Sequence, residues 1–209
     1  MLCSLCGNEI NKKVANRLEL CDSCVSGIEL ISYKRAVLTK KLFVLKLNIL
    51  FTHKGPIKDL VAHFKFNREL KLSHTIAELM SNYFEFRITP DILIPVPSHP
   101  IEEIKRGYSH MSVLAMEISK RMGLDHINAI KENWFPIVFR SQKAKNRAQR
   151  TKNNERFSLR VPSTKIKGKN ILIIYDVMTT GATIEECAEL LLKNGARRVE
   201  AMCLGLAPM

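Results

Sequence analysis

The sequence predicts an α/β protein, a parallel sheet with flanking helices, preceded by a small four-cysteine module. Three observations lead there. Short apolar runs at 92–94, 171–174 and 199–204 alternate with stretches whose apolar residues recur at helical spacing. The run at 171–174, I-L-I-I, is apolar throughout, as a strand buried on both faces requires. Two C-x-x-C pairs, Cys3/Cys6 and Cys21/Cys24, precede all of this and stand fourteen residues apart. The division this implies is a metal-binding module over residues 1–35 and an α/β domain over 36–209.

A segment as short as the module cannot bury a core of its own, so a metal would supply its folding energy. Each C-x-x-C makes a tight knuckle, and four thiolates complete a tetrahedron around Zn²⁺ with no open position, which makes the metal structural. Gly7 relaxes the first knuckle. Disulfides and an iron–sulfur cluster are the alternatives.

Residues 26–41 mix apolar and basic side chains and read as the joint between module and domain. Residues 42–51 suit a strand. Gly55-Pro56 marks a helix start, with Ile57, Leu60, Val61 and Phe64 at helical spacing behind it. A second helix is expected over 73–86, with Ile76, Leu79, Met80 and Tyr83 on one face. His53, His63, His74 and His126 have no spacing that joins them to acids or cysteines and read as ordinary surface or core histidines.

The strand at 92–94 ends in P-V-P-S. A helical stretch over 102–122 follows, with Met111, Leu114, Ala115, Ile118 and Met122 as its core stripe and R-G-Y-S-H interrupting its start. Residues 137–140 suit another strand, and 141–154, polar and basic without an apolar stripe, read as a loop or frayed helix. After the strand at 171–174, Ile184, Cys187, Ala188, Leu191 and Leu192 mark a helix. Gly195 stops it, and 199–204 is the last strand. Cys187 and Cys203, on that helix and strand, read as buried apolar residues.

The chain carries 33 Lys and Arg against 20 Asp and Glu, a net charge of +13. That surplus suits polyanionic company: nucleic acid, an anionic membrane surface or phosphorylated ligands. A merely soluble basic protein is the plain alternative. No run of about 18 apolar residues is present, so no transmembrane helix is expected. The start, M-L-C-S-L-C, lacks a signal pattern, and a cytoplasmic protein is expected.

The candidate site lies where the I-L-I-I strand hands over to a helix, in Asp176, Val177, Met178, Thr179, Thr180, Gly181, Ala182 and Thr183. Backbone N–H groups and hydroxyls beside a helix N-terminus form a cup for phosphate. Asp176, at the strand end, can accept hydrogen bonds from sugar hydroxyls, so a phosphorylated ribose is the ligand expected. Without a ligand, Asp176 would be a carboxylate capping a strand end.

This stretch resembles the phosphoribosyl-pyrophosphate (PRPP) signature of type I phosphoribosyltransferases: four apolar residues, two acids and a T-T-G-A-T loop. Tyr175 stands where that family has its first acid. P-V-P-S near H-P, then R-G-Y-S-H, narrows the likeness to the ComF family of competence proteins, whose P-V-P and R-G-F-N-Q these resemble. There Ser109-His110 replaces Asn-Gln. A four-cysteine module ahead of a phosphoribosyltransferase-like domain is that family's arrangement. Gln142, Arg150, Asn153 and Phe157 fall near the family's T-x-x-Q, R-x-x-N and F positions, without its Thr.

The resemblance implies that residues 179–183 cup the phosphate and that Asp176 clamps the ribose, the candidate catalytic role. Ser98 and Arg106 would serve the pyrophosphate side, with Mg²⁺ accompanying PRPP. Arg140, Lys143, Lys145, Arg147 and Arg150 would close over the ligand or meet DNA; a solvated basic loop is the plain alternative. It implies a competence protein handling incoming single-stranded DNA at the inner face of the inner membrane, beside uptake-channel or helicase proteins. Its rival is an active phosphoribosyltransferase with a nitrogen acceptor, and a third option is an adaptor whose zinc module docks a partner protein.

Overall fold

The computed structural model describes residues 1–10, 18–40, 43–84, 89–133 and 156–208. The strand expected at 137–140, the loop at 141–154, and with them Arg140, Gln142, Lys143, Lys145, Arg147, Arg150 and Asn153, lie outside the described residues.

Among the described residues five strands make the main sheet: β1 (Leu30–Lys40), β2 (Phe43–Thr52), β3 (Ile92–Pro95), β6 (Asn170–Met178) and β7 (Arg198–Leu206), in the order β1-β2-β7-β6-β3. Neighbours from β2 to β3 run parallel, and β1 pairs antiparallel with β2. The sheet is therefore mixed, mostly parallel with one antiparallel edge. Residues 26–41, expected as a joint, instead contribute β1. Lys34, Arg35 and Lys40 mask its strand character in the sequence, and pairing with β2 supplies what local hydrophobicity does not.

The helices fall close to their stripes. α2 (Gly55–Phe66) buries Ile57, Leu60, Val61 and Phe64. α3 (Leu72–Tyr83) ends three residues before the expected 86. The stretch expected at 102–122 is two helices, α4 (Pro100–Arg106) and α5 (His110–Met122). Gly107 separates them at φ 80°, a left-handed turn that a Cβ would strain. α6 (Ala182–Lys193) follows β6, and Gly195 beyond it has φ 91°. A short antiparallel pair, β4 (Ile130–Glu132) with β5 (Phe157–Leu159), stands apart from the main sheet. The small helix α1 (Asp22–Ser26) belongs to the cysteine module.

Strand periodicity sorts the core into two layers. Leu172 and Ile174 of β6 and Met202 and Leu204 of β7 face α2, α3 and α5. Ile171, Ile173, Ala201 and Cys203 face α6 with Ile184, Cys187, Ala188 and Leu191. Cys187 and Cys203 are fully buried, as expected. Cys3, Ile10, Leu20 and Cys21 join the first layer, and Thr75 Oγ1 donates to the Leu18 carbonyl at 3.0 Å. The cysteine module thus packs on the side of the sheet that carries α2 and α3. Among the described residues no helix is long and apolar enough to cross a membrane.

Candidate functional site

The alternation that builds the core also aims the site. Continuing the β6 pattern, Asp176 follows Leu172 and Ile174 toward α2 and α5, while Tyr175 follows Ile171 and Ile173 toward α6. The two consecutive residues thus leave opposite faces of one strand. Both line a cleft of about 470 Å³ with Lys65, Phe66, Ser98, Arg106, Arg156 and Thr183.

Asp176 is 4% exposed. Its Oδ1 accepts the Val177 N–H at 2.6 Å; its Oδ2 pairs with Lys65 Nζ and lies 2.9 Å from His110 Nε2. Burial alone would push its carboxyl up. The Lys65 ammonium and the His110 hydrogen bond outweigh that and hold it well below the usual carboxylate range. Asp176 is therefore ionised at neutral pH.

The protons around His110 follow from its neighbours. Arg106 Nη1 lies 3.0 Å from Nδ1, and a guanidinium can only donate. Nδ1 therefore accepts, and the ring proton sits on Nε2, donated to Asp176. Ser98 Oγ is 3.0 Å from the same Nδ1, and Arg106 Nη2 donates to Glu102 Oε2 at 3.0 Å. Ser98, Arg106 and Asp176, separated in sequence, are thereby joined through His110.

Tyr175 is half-buried. Burial, reinforced by the Asp176 charge, pushes its phenol up to about 12, so it offers a neutral group where an acid would carry charge. Arg156 Nη1 donates to Thr183 Oγ1 at 3.2 Å, and Arg156 Nε pairs with Glu132 at 2.8 Å. Burial opposes the Arg156 charge, but the Glu132 contact more than restores it.

In the loop, Gly181 takes φ 83° as the N-cap of α6 and brings no side-chain cap of its own. Thr179, Thr180 and Ala182 are exposed, Thr183 is half-buried, and Thr180 Oγ1 accepts the Ala182 N–H at 3.5 Å. Met178 is packed in the core and Val177 is partly buried against it, so from these two positions the backbone is what reaches the loop.

Lys65 and Arg156 carry no motif and escaped the sequence reading. The one hint for Lys65 is its position just after the buried stripe of α2. Among the described lining residues every carboxylate has a cationic partner: Asp176 with Lys65, Glu102 with Arg106, Glu132 with Arg156.

At the other end of the chain, the Sγ atoms of Cys3, Cys6, Cys21 and Cys24 all lie within 4.8 Å of one another. Cys3–Cys24 is 3.9 Å and Cys6–Cys21 3.5 Å. A tetrahedron with metal–sulfur bonds of about 2.3 Å has edges of about 3.8 Å, so the group is positioned to hold a metal ion. Burial raises the Cys3 thiol, yet backbone hydrogen bonds from Cys6, Cys21 and Leu5 bring it down to about 6. The Cys6 thiol is raised, and burial with the neighbouring thiols pushes Cys24 up. By itself the group therefore favours one thiolate, and a metal cation would have to draw the others out.

The chain belongs to the phosphoribosyl transferase domain family, whose model matches residues 67–208. Within that class its relatives are named for competence and DNA utilization. It is 29% identical over 161 residues to Competence protein F of Haemophilus influenzae, covering 73% of this chain and 69% of that one. It is 27% identical over 212 residues to the DNA utilization protein YhgH of Salmonella typhi, covering 97% and 89%. Among solved structures, adenine phosphoribosyltransferase from Thermoanaerobacter pseudethanolicus aligns with a TM-score of 0.43 at 12% identity, covering 89% of this chain and 98% of that one. The resemblance to competence proteins read from the sequence is borne out.

Proposed function

We propose that this protein handles incoming single-stranded DNA during natural transformation, on a phosphoribosyltransferase-like scaffold whose cleft binds PRPP or a related phosphorylated ribose. The observation that carries the ligand is Asp176: a buried, ionised carboxylate at a strand end, beside a helix start with a glycine N-cap and a threonine-glycine loop. A carboxylate has about four acceptor positions. Val177, Lys65 and His110 use three, which leaves one for a ribose hydroxyl. Backbone N–H groups and hydroxyls of residues 179–183 take the phosphate. Ser98 and Arg106 face the pyrophosphate side. Arg140, Lys143, Lys145, Arg147 and Arg150 serve DNA or close over the ligand. The +13 charge and the names of the relatives support the DNA role.

The four cysteines hold structural Zn²⁺ in a module over 1–35, ahead of a ligand-binding domain over 36–209. Mg²⁺ does not fit as a protein-held ion, because no described carboxylate of the cleft is free of a cation and Tyr175 is neutral. The protein works in the cytoplasm, at the inner face of the membrane, with uptake-channel or helicase proteins as partners.

The test is binding of a labelled single-stranded oligonucleotide across a salt series, with and without PRPP. Affinity should fall steeply with salt, and PRPP and DNA should alter each other's affinity reciprocally. Salt-independent affinity would overturn the DNA role. The second reading, an active phosphoribosyltransferase, is favoured by the acceptor position left on Asp176. It requires pyrophosphate release from PRPP with a nitrogen acceptor.

A further inference from the structure

We infer that Phe66 is a stacking platform for one base of a single-stranded nucleic acid, at the rim of the cleft that holds the phosphate. The inference rests on the reading of that cleft as a phosphoribose site. Phe66 closes α2, two residues beyond Phe64 and off the buried stripe, and it is 68% exposed. A single exposed phenylalanine is ordinary. This one lines the cleft, next to Lys65, whose ammonium reaches inward to Asp176.

The ring is also held in place. The Arg106 guanidinium lies 5.5 Å from its centroid. Arg106 is in turn fixed by Glu102 at 3.0 Å and by His110 Nδ1 at 3.0 Å. Its side chain is only 11% exposed, so it backs the ring while leaving most of the ring open to solvent. An aromatic backed by a buried guanidinium is a rigid π-surface that loses little freedom when a base settles on it. Among the other rings of the cleft, His110 is buried on Asp176, Tyr175 is half-buried on the α6 side, and His99, though exposed, accepts the Ile101 N–H on Nδ1 at 3.3 Å as the cap of α4.

The surroundings match the chemistry of a nucleotide chain. Arg68 Nη2 donates to the Lys105 carbonyl at 3.0 Å, which ties the α2–α3 turn to α4 and sets Arg68 and Lys105 near this rim. Lys105 is 68% exposed at its side chain. A ring flanked by cations provides base stacking and phosphate attraction together, the combination used for single strands irrespective of sequence. The chain is only 7% aromatic. Among the described residues Tyr83 is also exposed, at 48%, but it packs edge-on against Phe51 and does not line this cleft, whereas Phe66 does.

The experiment uses the full chain and a short 5′-phosphorylated thymidine oligonucleotide, read by fluorescence anisotropy at low salt. PRPP is titrated by calorimetry in parallel. Phe66→Ala should weaken the oligonucleotide about five- to a hundred-fold. Phe66→Trp should match or exceed the wild type, Phe66→Leu should behave like Ala, and the Ala and Leu variants should lose less affinity for PRPP than for the oligonucleotide. An Ala variant within twofold of wild type overturns the inference. A Leu variant that binds as well as Phe does so too, because it marks the site as a generic apolar contact suited to a protein partner. Wild-type protein that does not bind the oligonucleotide is equally fatal. If PRPP fails to bind wild type while the Ala loss persists, the phosphoribose reading falls and the stacking role stands.

Discussion

Lys65 at the end of α2 and Asp176 at the end of β6 form a buried ion pair, with side-chain exposures of 20% and 6%. His110 adds its Nε2–H to the same carboxylate oxygen. Removing one partner of a buried pair strands the other, at a cost of about 3–5 kcal/mol, whereas removing both costs much less. Lys65→Met should therefore destabilise the protein by about that amount in urea unfolding. The Lys65→Met, Asp176→Asn double variant should recover most of it. A double variant worse than the sum of the singles would show that the pair is not the coupling described.

The same pair fixes a pH dependence. The folded carboxyl of Asp176 lies below its ordinary value near 4, so the unfolded chain binds the extra proton first. Its stabilising contribution is complete above the ordinary carboxylate range and fades as pH falls from there toward the depressed folded value. Wild-type stability should thus decline through that acid window more steeply than Asp176→Asn, measured by unfolding at stepped pH. Parallel acid limbs would rule out the assignment.

Tyr175 determines what the cleft asks of a metal. With a neutral phenol there and every described cleft carboxylate already paired, PRPP affinity should differ by less than about threefold between EDTA and Mg²⁺. Tyr175→Asp should make binding depend on Mg²⁺ by about tenfold or more, one charge-assisted contact being worth about 1.5–3 kcal/mol. Calorimetry in both buffers decides this, and a wild type that already needs Mg²⁺ would refute it.

The cysteine module should carry one Zn²⁺ per chain by elemental analysis. Cys21 is buried in the first core layer, so Cys21→Ser should lose the metal and lower the melting temperature. A variant that keeps full zinc content would exclude this four-thiolate site.

The sequence revealed the parts of this protein that are local. The I-L-I-I run, the threonine-glycine loop and the two C-x-x-C pairs each carry their chemistry within a few residues, and each lies where expected. Lys65 was invisible because one more lysine in a chain of charge +13 announces nothing, and its partner is brought to it only by the packing of α2 on β6. His110 was legible only as a departure from the family's Gln. Its role depends on Arg106, Ser98 and Asp176 converging around one ring. β1 was missed because its basic residues hide a strand that β2 stabilises from outside. The Gly107 break was legible as R-G-Y-S-H interrupting the start of a helical stretch; that it separates two helices was not, because the helical periodicity runs on beyond it.

Whether the cleft is a phosphoribose site is decided by calorimetric titration of PRPP into wild type and Asp176→Asn, each first shown to be folded. One saturable site is expected in the wild type. The variant should lose at least about tenfold in affinity, in line with the removal of a charged hydrogen-bond acceptor. No binding to the wild type, or equal binding to both proteins, would refute the phosphoribose site.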